Sequence, residues 1–406
     1  MSNNSTSLKT IVDFARRKGL VYPSSEIYGG FAATYDFGPL GKLLKDNLVN
    51  AWRDWMVNYR TDTVEIEGAI FLHPKVWEAS GHISGFSDLL VEDMVTKKRF
   101  RADHLVEEAE ITPPPTMSFI ESVPNEKISD AGSFTSDQID EIITFHKLKS
   151  PDGNPLSKAK KFNLLVKTHL GPIEDDSSLA YLKGESCQNI YVDWKQIQET
   201  TRRKLPFGVA QLGKAFRNEI TVKQFMFRTR EFEQIDMQYF VKPPDFVKKD
   251  GNGENLEKNH FEWFKYWKEE RMKFYTEFLE YNPANLKWHQ HSPEELVFYA
   301  AEAWDIYYNF GQMGYKEMEG VHNRTDYDTR QHQKFSGTDL TYLDPETNER
   351  YLPYIVEMSL GVNRLFLSTL FEFYSEQIIE NPQNTELEEQ IRELEQVLAN
   401  LKNDQV

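Results

Sequence analysis

Hydrophobic positions recur at helical spacing in three parts of the chain. Residues 8–18 show this period, and residues 40–59 show it again with a leucine or tryptophan every third or fourth position. A glycine-rich segment ending at Pro39 separates the two and predicts a turn-rich entry into the second helix. Residues 261–281, dense in aromatic and charged side chains, predict a third helix.

Two internal stretches and the tail depart from this pattern. Residues 111–161 contain three consecutive prolines and a serine-rich stretch, which predict an irregular insertion. Residues 243–255 are again polar and predict the start of a second insertion. In residues 385–406 apolar positions follow a heptad over about two heptads, too short for a stable coiled coil. We expect a helix that packs on the parent domain or on a partner chain.

Residues 228–240 alternate between two faces if they form a strand. We expect residues 216–220 to form the preceding strand, with Arg217 and Glu219 on one face and residues 221–227 as the loop of a hairpin. A bland exposed strand would show the same alternation, but it would not need two arginines flanking a phenylalanine. The pattern favours a floor for a planar, anionic ligand. The polar face of residues 228–240 carries Arg228, Arg230, Phe232, Gln234, Asp236 and Gln238.

A third polar strand is predicted at residues 351–359, where Glu357 and Ser359 share one face. Asn363 is the predicted N-cap of a helix over residues 364–379, which places Arg364 in the first turn. A cation beside the positive end of the helix dipole is unfavourable without an anion. Phosphate is the obvious anion.

Together these segments predict adenylation, in which a carboxylate attacks the α-phosphate of ATP and pyrophosphate leaves. Such a site must neutralise phosphate charge and hold the nucleophile in line. Guanidinium groups bind phosphate in a bidentate manner and suit this task better than lysine. The reaction needs no side-chain nucleophile, and no Ser-His-Asp or Cys-His arrangement stands out in the sequence.

Composition is compatible with such an enzyme. Of 406 residues, 39% are apolar and 13% aromatic, which supplies a sizeable core. We expect no membrane span and a cytoplasmic location, since no apolar run approaches about eighteen residues and no secretory signal precedes residue 20. The net charge of −17 argues against sequence-independent nucleic-acid binding. Basic clusters at 97–101 and 158–161 are expected to be solvated faces.

Cysteine and histidine give little sign of a metal. The single cysteine, Cys187, excludes an internal disulfide and a Cys-based zinc site, and we expect it to be a small buried residue. His289, His291 and His332 could suggest a metal site. Nothing fixes their spacing, so we expect satisfied or exposed histidines instead.

The three polar segments resemble the signature motifs of class II aminoacyl-tRNA synthetases, and within that class the dimeric, glycine-specific branch. The likeness covers about residues 8 to 380. The generic pattern is moderately specific, but the full set of motifs is highly specific. Supporting stretches are 22–30, 35–41, 204–208, 216–220, 230–234 and 323–328.

The resemblance implies a role for each matching residue. Arg217 would bind the α-phosphate, and Glu219 would lie near the adenine and the tRNA terminus. Phe232 and Arg364 would stack on the two faces of the adenine, and Arg228 would reach the β- and γ-phosphates. Arg217, Glu219 and Arg364 would be catalytic. The implied ATP-binding set is Arg217, Asn218, Glu219, Phe227, Arg228, Arg230, Phe232, Glu317, Met318 and Arg364.

The same resemblance implies the substrates and partners: glycine, ATP with Mg²⁺, and tRNA(Gly). Glu317 would help to hold Mg²⁺. The segment around Pro39 would form a homodimer interface. The implied glycine-binding residues are Glu185, Asp236, Glu357, Met358 and Ser359.

Four departures from the family pattern bear on function. Asp236 stands where glutamate is usual, Lys183 replaces an arginine, and Asn363 stands where aspartate is common. The chain also ends soon after the third motif, without the anticodon-binding domain that normally follows. Two alternatives therefore stay open: a stand-alone amino-acid adenylating protein with a non-tRNA acceptor, and a non-catalytic accessory subunit. The second is disfavoured because the phosphate arginines are present.

The expected fold is α+β, with a class II synthetase-like, mainly antiparallel sheet flanked by helices and carrying two insertions. The predicted division is a first catalytic part with the dimer motif (1–110), an insertion (111–161), the core with the second motif (162–242), a helical insertion (243–305), the core with the third motif (306–380) and a helical tail (381–406).

Overall fold

The computed structural model describes residues 6–112, 114, 128, 131, 134–220, 224–293, 296, 300–376 and 392. Met1–Glu372 forms one compact unit and Phe373–Val406 a second. The heptad helix predicted at 385–406 lies outside the described residues, apart from position 392. None of the described helices combines the length and apolar character needed to cross a membrane.

The three predicted helices are confirmed as α1, α2 and α8. Helices α2 and α8 each continue into one π-helical turn, Asp54–Asn58 and Phe274–Phe278. The helices are α1 (Leu8–Arg17), α2 (Pro39–Arg53), α3 (Pro74–Ala79), α4 (His82–Gly85), α5 (Ala102–Glu108), α6 (Ser136–His146), α7 (Cys187–Thr201), α8 (His260–Lys273), α9 (Tyr327–Ser336) and α10 (Val362–Phe373).

A seven-stranded sheet runs through the described part of the chain in the order β12-β13-β14-β17-β11-β10-β3. Every pairing is antiparallel except that of β10 with β3. The predicted α+β fold is confirmed. The strands are β1 (Val21–Pro23), β2 (Tyr35–Phe37), β3 (Thr63–Ile66), β4 (Phe71–Leu72), β5 (Ser87–Glu92), β6 (Arg99–Arg101), β7 (Lys160–Asn163), β8 (Lys167–His169), β9 (Leu179–Leu182), β10 (Phe207–Phe216), β11 (Glu231–Val241), β12 (Leu286–Gln290), β13 (Glu302–Asn309), β14 (Tyr315–Thr325), β15 (Tyr342–Leu343), β16 (Arg350–Tyr351) and β17 (Tyr354–Gly361).

Aromatic packing shows which helices cover the two faces of the sheet. On one face of β11, Trp194 of α7 stacks on Phe240 with ring centroids 4.3 Å apart. On the other, Tyr239 packs against Trp267 of α8 with centroids 4.9 Å apart. The first four residues of β11, up to Gln234, are exposed or half-buried, whereas the rest of the strand is buried. The face covered by α7 is therefore open at the amino-terminal end of β11.

The segment 111–161 contains more regular structure than its composition predicts. Helix α6 begins with a capping box formed by Thr135 and Gln138. Its Ile139 and Ile142 pack in a small core with residues of β5 and α5. The helix was not predicted for two reasons. Its apolar face contains few isoleucines, and the prolines and serines around it indicate a loop.

The segment 243–305, predicted to be a helical insertion, supplies α8 and also β12 and β13 of the central sheet. Residues 286–290 and 302–305 of this segment therefore belong to the sheet. Strand β13 shows no clean two-residue alternation, because the register shifts between Ile306 and Tyr307.

Candidate active site

The predicted hairpin forms from β10 and β11, but its connection is longer than expected. Strand β10 ends one residue before Arg217, and β11 begins at Glu231 instead of Arg228. The prediction that both arginines lie in the paired strands is therefore wrong. The N–H of Arg230 donates to the carbonyl oxygen of Ala33 at 3.1 Å, so the glycine-rich segment near the amino terminus binds this stretch. Beyond it the predicted alternation holds.

A cavity of about 180 Å³ opens where this connection meets β14, β17 and α10. Two predicted ATP-binding residues, Asn218 and Arg230, do not line it. Asn218 is exposed, and its backbone N–H donates to the carbonyl oxygen of Leu164 at 2.8 Å. The other predicted residues all do: Arg217, Glu219, Phe227, Arg228, Phe232, Glu317, Met318 and Arg364. Met226, Thr229, Gln234, Ser359, Gly361 and Asn363 complete the lining.

The guanidinium of Arg217 lies between two aromatic rings. Its central carbon is 5.0 Å from the ring centroid of Phe86 and 5.3 Å from that of Phe232. Its Nε donates to the carbonyl oxygen of Gly184 at 3.0 Å. Within the described residues neither Nη group of Arg217 has a hydrogen-bond acceptor. The side chain is thus fixed in place, and as far as the described residues go both of its Nη groups are available to an anion.

Two further arginines surround Glu219, which is buried. Arg230 donates from Nε and Nη2 to the backbone carbonyl oxygen of Glu219, both at 3.3 Å. Arg230 therefore fixes the backbone of the connection and does not face the cavity. Nη1 of Arg228 is 3.9 Å from Oε2 of Glu219, an oxygen without a hydrogen-bond partner in the described part of the chain. Arg228 is only loosely paired.

Arg364 lies in the first turn of α10, as predicted. The helix begins at Val362 and ends at Phe373, so the predicted bounds and the N-cap role of Asn363 are wrong. The Asn363 amide instead donates to Oγ1 of Thr229 at 3.2 Å, inside the protein. Nη1 of Arg364 lies 2.9 Å from Oε1 of Glu317.

Glu357 and Ser359 share one face of β17, as predicted, and the cross-strand partner of Ser359 is Asp236. Nε2 of Gln234 donates to Oγ of Ser359 at 2.7 Å and to Oδ1 of Asp236 at 3.2 Å. Met358 lies between Glu357 and Ser359 in β17, where strand alternation directs its side chain to the opposite face; its place among the glycine-binding residues stays a prediction. The polar row lies directly beyond the cavity, which Ser359 also lines.

Glu185 lies between β9 and α7 within a set of donors. His82 is 3.3 Å away through Nε2, and Gln188 donates from Nε2 at 2.8 Å. Cys187 is buried, as predicted, and its thiol donates to Glu185 at 3.1 Å. Burial raises the pKa of Glu185, but the charge and hydrogen bond of His82 outweigh it and hold the pKa well below its usual range.

Glu357 and Asp236 differ in how well their charge is compensated. Burial raises the pKa of Glu357, but Arg324 and His322 overcome this and lower it to about 2. Burial and the neighbouring charge of Glu357 raise the pKa of Asp236 well above its usual range. Oδ2 of Asp236 is buried and has no hydrogen-bond partner among the described residues. Among the described residues, Asp236 is therefore the one of these two carboxyl groups without a cation in hydrogen-bond contact.

Comparisons with known proteins identify the family. The model described as tRNA synthetase class II core domain (G, H, P, S and T) matches residues 172–374. A glycine–tRNA ligase of Treponema denticola is 42% identical over 95% of this chain and 74% of its own length. One from Thermobifida fusca is 42% identical over 93% and 74%. The chain belongs to the glycine–tRNA ligase family of class II synthetases.

Solved structures of another class II synthetase support the fold alone. Giardia lamblia prolyl-tRNA synthetase in complex with prolyl-adenylate superposes with a TM-score of 0.55 at 11% identity. The match covers 90% of this chain and 52% of that one, so the chain spans about half the length of this structural relative.

This member of the glycine–tRNA ligase family buries Lys183 beside the site. Its Nζ donates to the carbonyl oxygen of Gly68 at 3.3 Å. A Cβ at Gly213 would lie 2.6 Å from that Nζ, so the lysine fills space that the glycine leaves open. Burial lowers the pKa of Lys183.

The histidines predicted to be satisfied or exposed divide into two groups. His332 is buried and bonded to Gln188 at 2.9 Å, and burial lowers its pKa to about 4. His291 instead lies close to Asp305 and His322, two residues that were not predicted. One ring nitrogen of each histidine and one carboxylate oxygen of Asp305 all lie within 4.8 Å of one another. Phe86, His82 and Arg324 were also not predicted as site residues. They reach Arg217, Glu185 and Glu357 only because distant parts of the chain pack together. The motif 323–328 was the available signal for Arg324 alone.

Proposed function

We propose that this chain is a glycine–tRNA ligase, which activates glycine with ATP as glycyl-adenylate and transfers it to the 3′ end of tRNA(Gly). The observation that carries the proposal is the continuity of the site. An arginine-lined cavity reaches Ser359, and Ser359 is paired across the sheet with the buried carboxyl group of Asp236. Sites for a triphosphate and for an ammonium group therefore adjoin.

At the phosphate end, adenylation needs positive charge held ready where negative charge develops. Arg217, clamped between its aromatic neighbours, offers its Nη donors to the α-phosphate, and Arg228 reaches the β- and γ-phosphates. The ring face of Phe232 that Arg217 leaves uncovered stacks on the adenine, with Arg364 beside it. A carboxylate oxygen of glycine attacks the α-phosphorus, and the bond to pyrophosphate breaks.

The carboxylates at the cavity suit Mg²⁺, which binds through one or two carboxylates together with phosphate oxygens. Glu317 is half-exposed, and Glu219 contributes an Oε2 without a hydrogen-bond partner in the described chain. When bound, the ion would neutralise charge on the β- and γ-phosphates. Glu317, the predicted ligand, would help to hold it.

At the amino-acid end, Glu185, Asp236 and Glu357 supply negative charge for the ammonium of glycine. We expect the site's own side chains to fill the pocket and so to exclude the methyl group of alanine. Steric exclusion is the suitable strategy, because one methyl in a roomy pocket changes binding by only about 1–3 kcal/mol. The shorter Asp236, in place of glutamate, keeps the carboxyl group.

The proposed cytoplasmic enzyme is a homodimer joined through the segment around Pro39. This part of the surface is unusually apolar: Ile27 is 88% exposed, Tyr28 87% and Phe31 75%. Leu40 and Leu43 of α2 are exposed beside it. Several exposed apolar side chains in one stretch of chain favour a protein interface, and a two-fold axis would let this surface cover its own copy.

ATP–pyrophosphate exchange across a panel of amino acids tests the proposal. Exchange with glycine alone, followed by transfer to tRNA(Gly) and not to other tRNAs, is the expected result. Exchange with a larger amino acid, or without transfer to tRNA, would point to the adenylating alternative. No exchange at all would point to the accessory subunit.

A further inference from the structure

A row of three titratable side chains, His291, Asp305 and His322, lies next to the proposed glycine site and takes no part in the proposed contacts. Nε2 of His291 lies 2.8 Å from Oδ2 of Asp305. Oδ1 of the same carboxylate lies 3.4 Å from Nε2 of His322. The other ring nitrogen of His322, Nδ1, lies 3.2 Å from Oε2 of Glu357. The row therefore connects the edge of the sheet to a proposed substrate ligand.

The sheet is built to allow this row. Strands β13, β14 and β17 lie side by side, with Asp305 opposite Gly320 and His322 opposite Glu357. A Cβ at Gly320 would lie 2.9 Å from Nε2 of His322 and 3.4 Å from Oδ1 of Asp305. The contact between histidine and aspartate thus occupies the space that a side chain at position 320 would need.

The hydrogen-bond partners determine the charge of His322. Each ring nitrogen faces a carboxylate, which only accepts, so both nitrogens must donate and the ring is an imidazolium. The flanking carboxylates outweigh burial and raise the pKa of His322 to about 9. Asp305 has its pKa lowered in return, in spite of burial, by His322 and His291. Arg324, on the same strand, is the other cation that faces Glu357.

The two carboxylate oxygens of Glu357 have different hydrogen-bond partners. Its Oε2 accepts from His322 and, at 2.9 Å, from Nη1 of Arg324. Its Oε1 accepts from Nε2 of Gln238 at 2.9 Å. Arg324 also forms a bidentate pair with Asp328, at 2.8 and 2.9 Å, so its charge is shared between two carboxylates. Glu357 therefore depends on two cations, Arg324 first and His322 second.

We propose that His322 is a positioning residue for amino-acid recognition: backed by Asp305 and His291, its imidazolium keeps Glu357 ionised and turns Oε1 toward the substrate ammonium. This inference rests on the proposed function, in which Glu357 binds glycine. His322 touches neither substrate. It acts on glycine affinity and leaves ATP binding and the chemical step alone.

The first test is His322→Gln, which keeps a donor of similar size and removes the charge. Glycine KM in pyrophosphate exchange should rise on the order of tenfold to a hundredfold, the value of a charge-assisted hydrogen bond, with ATP KM and kcat little changed. His169→Gln, at an exposed position on β8, is the matched control and should match the wild type. Equal losses in kcat and in both KM values would overturn the proposal.

The second test is the pH profile of Asp305→Asn. Removing the carboxylate lowers the pKa of His322, so the rise of glycine KM at alkaline pH should begin at lower pH than in the wild type. Titration of free glycine is common to both proteins and does not shift. An unshifted profile in a folded variant would refute the role of His322.

His291, Asp305 and His322 are close enough together to hold a divalent cation. A metal assay distinguishes that role from the positioning role. One equivalent of Zn²⁺ retained by the purified protein and lost in His322→Gln would overturn the proposal. If the proposed function itself were wrong, the wild type would lack glycine-dependent exchange, and this separates that failure from failure of the positioning role. Normal wild-type exchange with wild-type glycine KM in both variants would refute the positioning role alone.

Discussion

Replacing Arg217 by alanine is the sharpest test of the proposed phosphate site. The change removes both Nη groups, which have no acceptor among the described residues, and leaves Phe86 and Phe232 without the cation between them. Loss of one preorganised donor in an active site costs roughly 2.7–4 kcal/mol, a factor of about 10²–10³ in rate. Since Arg217 offers two donors, we expect kcat for glycine-dependent pyrophosphate exchange to fall by about 10³, the upper end of that range.

The effect on folding should be far smaller. The lost cation–π contacts are worth about 0.5–1 kcal/mol at a partly exposed position, so the unfolding temperature should drop by only a few degrees. Arg217→Lys keeps the charge but not the planar fork and should give an intermediate rate. Arg99→Ala, on β6 away from the cavity, is the control and should exchange normally. Exchange within a few-fold of wild type in Arg217→Ala would refute the assignment.

Three further predictions concern charge and assembly. Asp236→Asn should reduce glycine-dependent exchange yet raise the unfolding temperature at neutral pH, because the raised pKa of this carboxyl means that folding stability is lost as pH rises through it. Thermal unfolding across pH checks this, and a stability gain that persists in acid contradicts it. Glu319→Gln should cost about 3–5 kcal/mol in urea unfolding, since it leaves the buried Arg271, bonded to it at 2.5 and 3.0 Å, without a counter-charge. A cost below about 1 kcal/mol would contradict it. Leu43→Asp should yield monomers in sedimentation velocity, whereas a stable dimer would place the interface elsewhere.

How much the sequence revealed depended on the range of the contacts involved. Two-residue alternation is local, and it correctly placed Asp236 on the polar face of β11 and Glu357 with Ser359 on one face of β17. The same rule failed at Arg228, because the stretch before β11 bonds to a carbonyl group almost two hundred residues earlier in the chain. No local pattern reports such a partner.

The resemblance supplied residues for the cavity but not the network behind it. His322 and Glu357 lie on different strands, and their contact depends on the register of β14 against β17. Periodicity predicts a strand's faces, but register between distant strands is set by the packed sheet. In β13 the cause is local, since the register shift between Ile306 and Tyr307 disrupts the two-residue alternation that would have predicted the strand.

The pKa values of Glu185 and Glu357 are lowered and that of Asp236 is raised, a difference that follows from the cost of burying charge. A buried carboxylate without a partner is expensive, and it neutralises by shifting its pKa. Glu185 is bonded to His82 and Glu357 to His322 and Arg324, so both are ionised before any substrate arrives. Asp236 has no such cation in hydrogen-bond contact within the described chain. The ammonium of glycine is the cation that would complete it, so binding should release a proton from Asp236. Substrate recognition would then concentrate on Asp236, the one of these three carboxyl groups that has no cation in hydrogen-bond contact among the described residues.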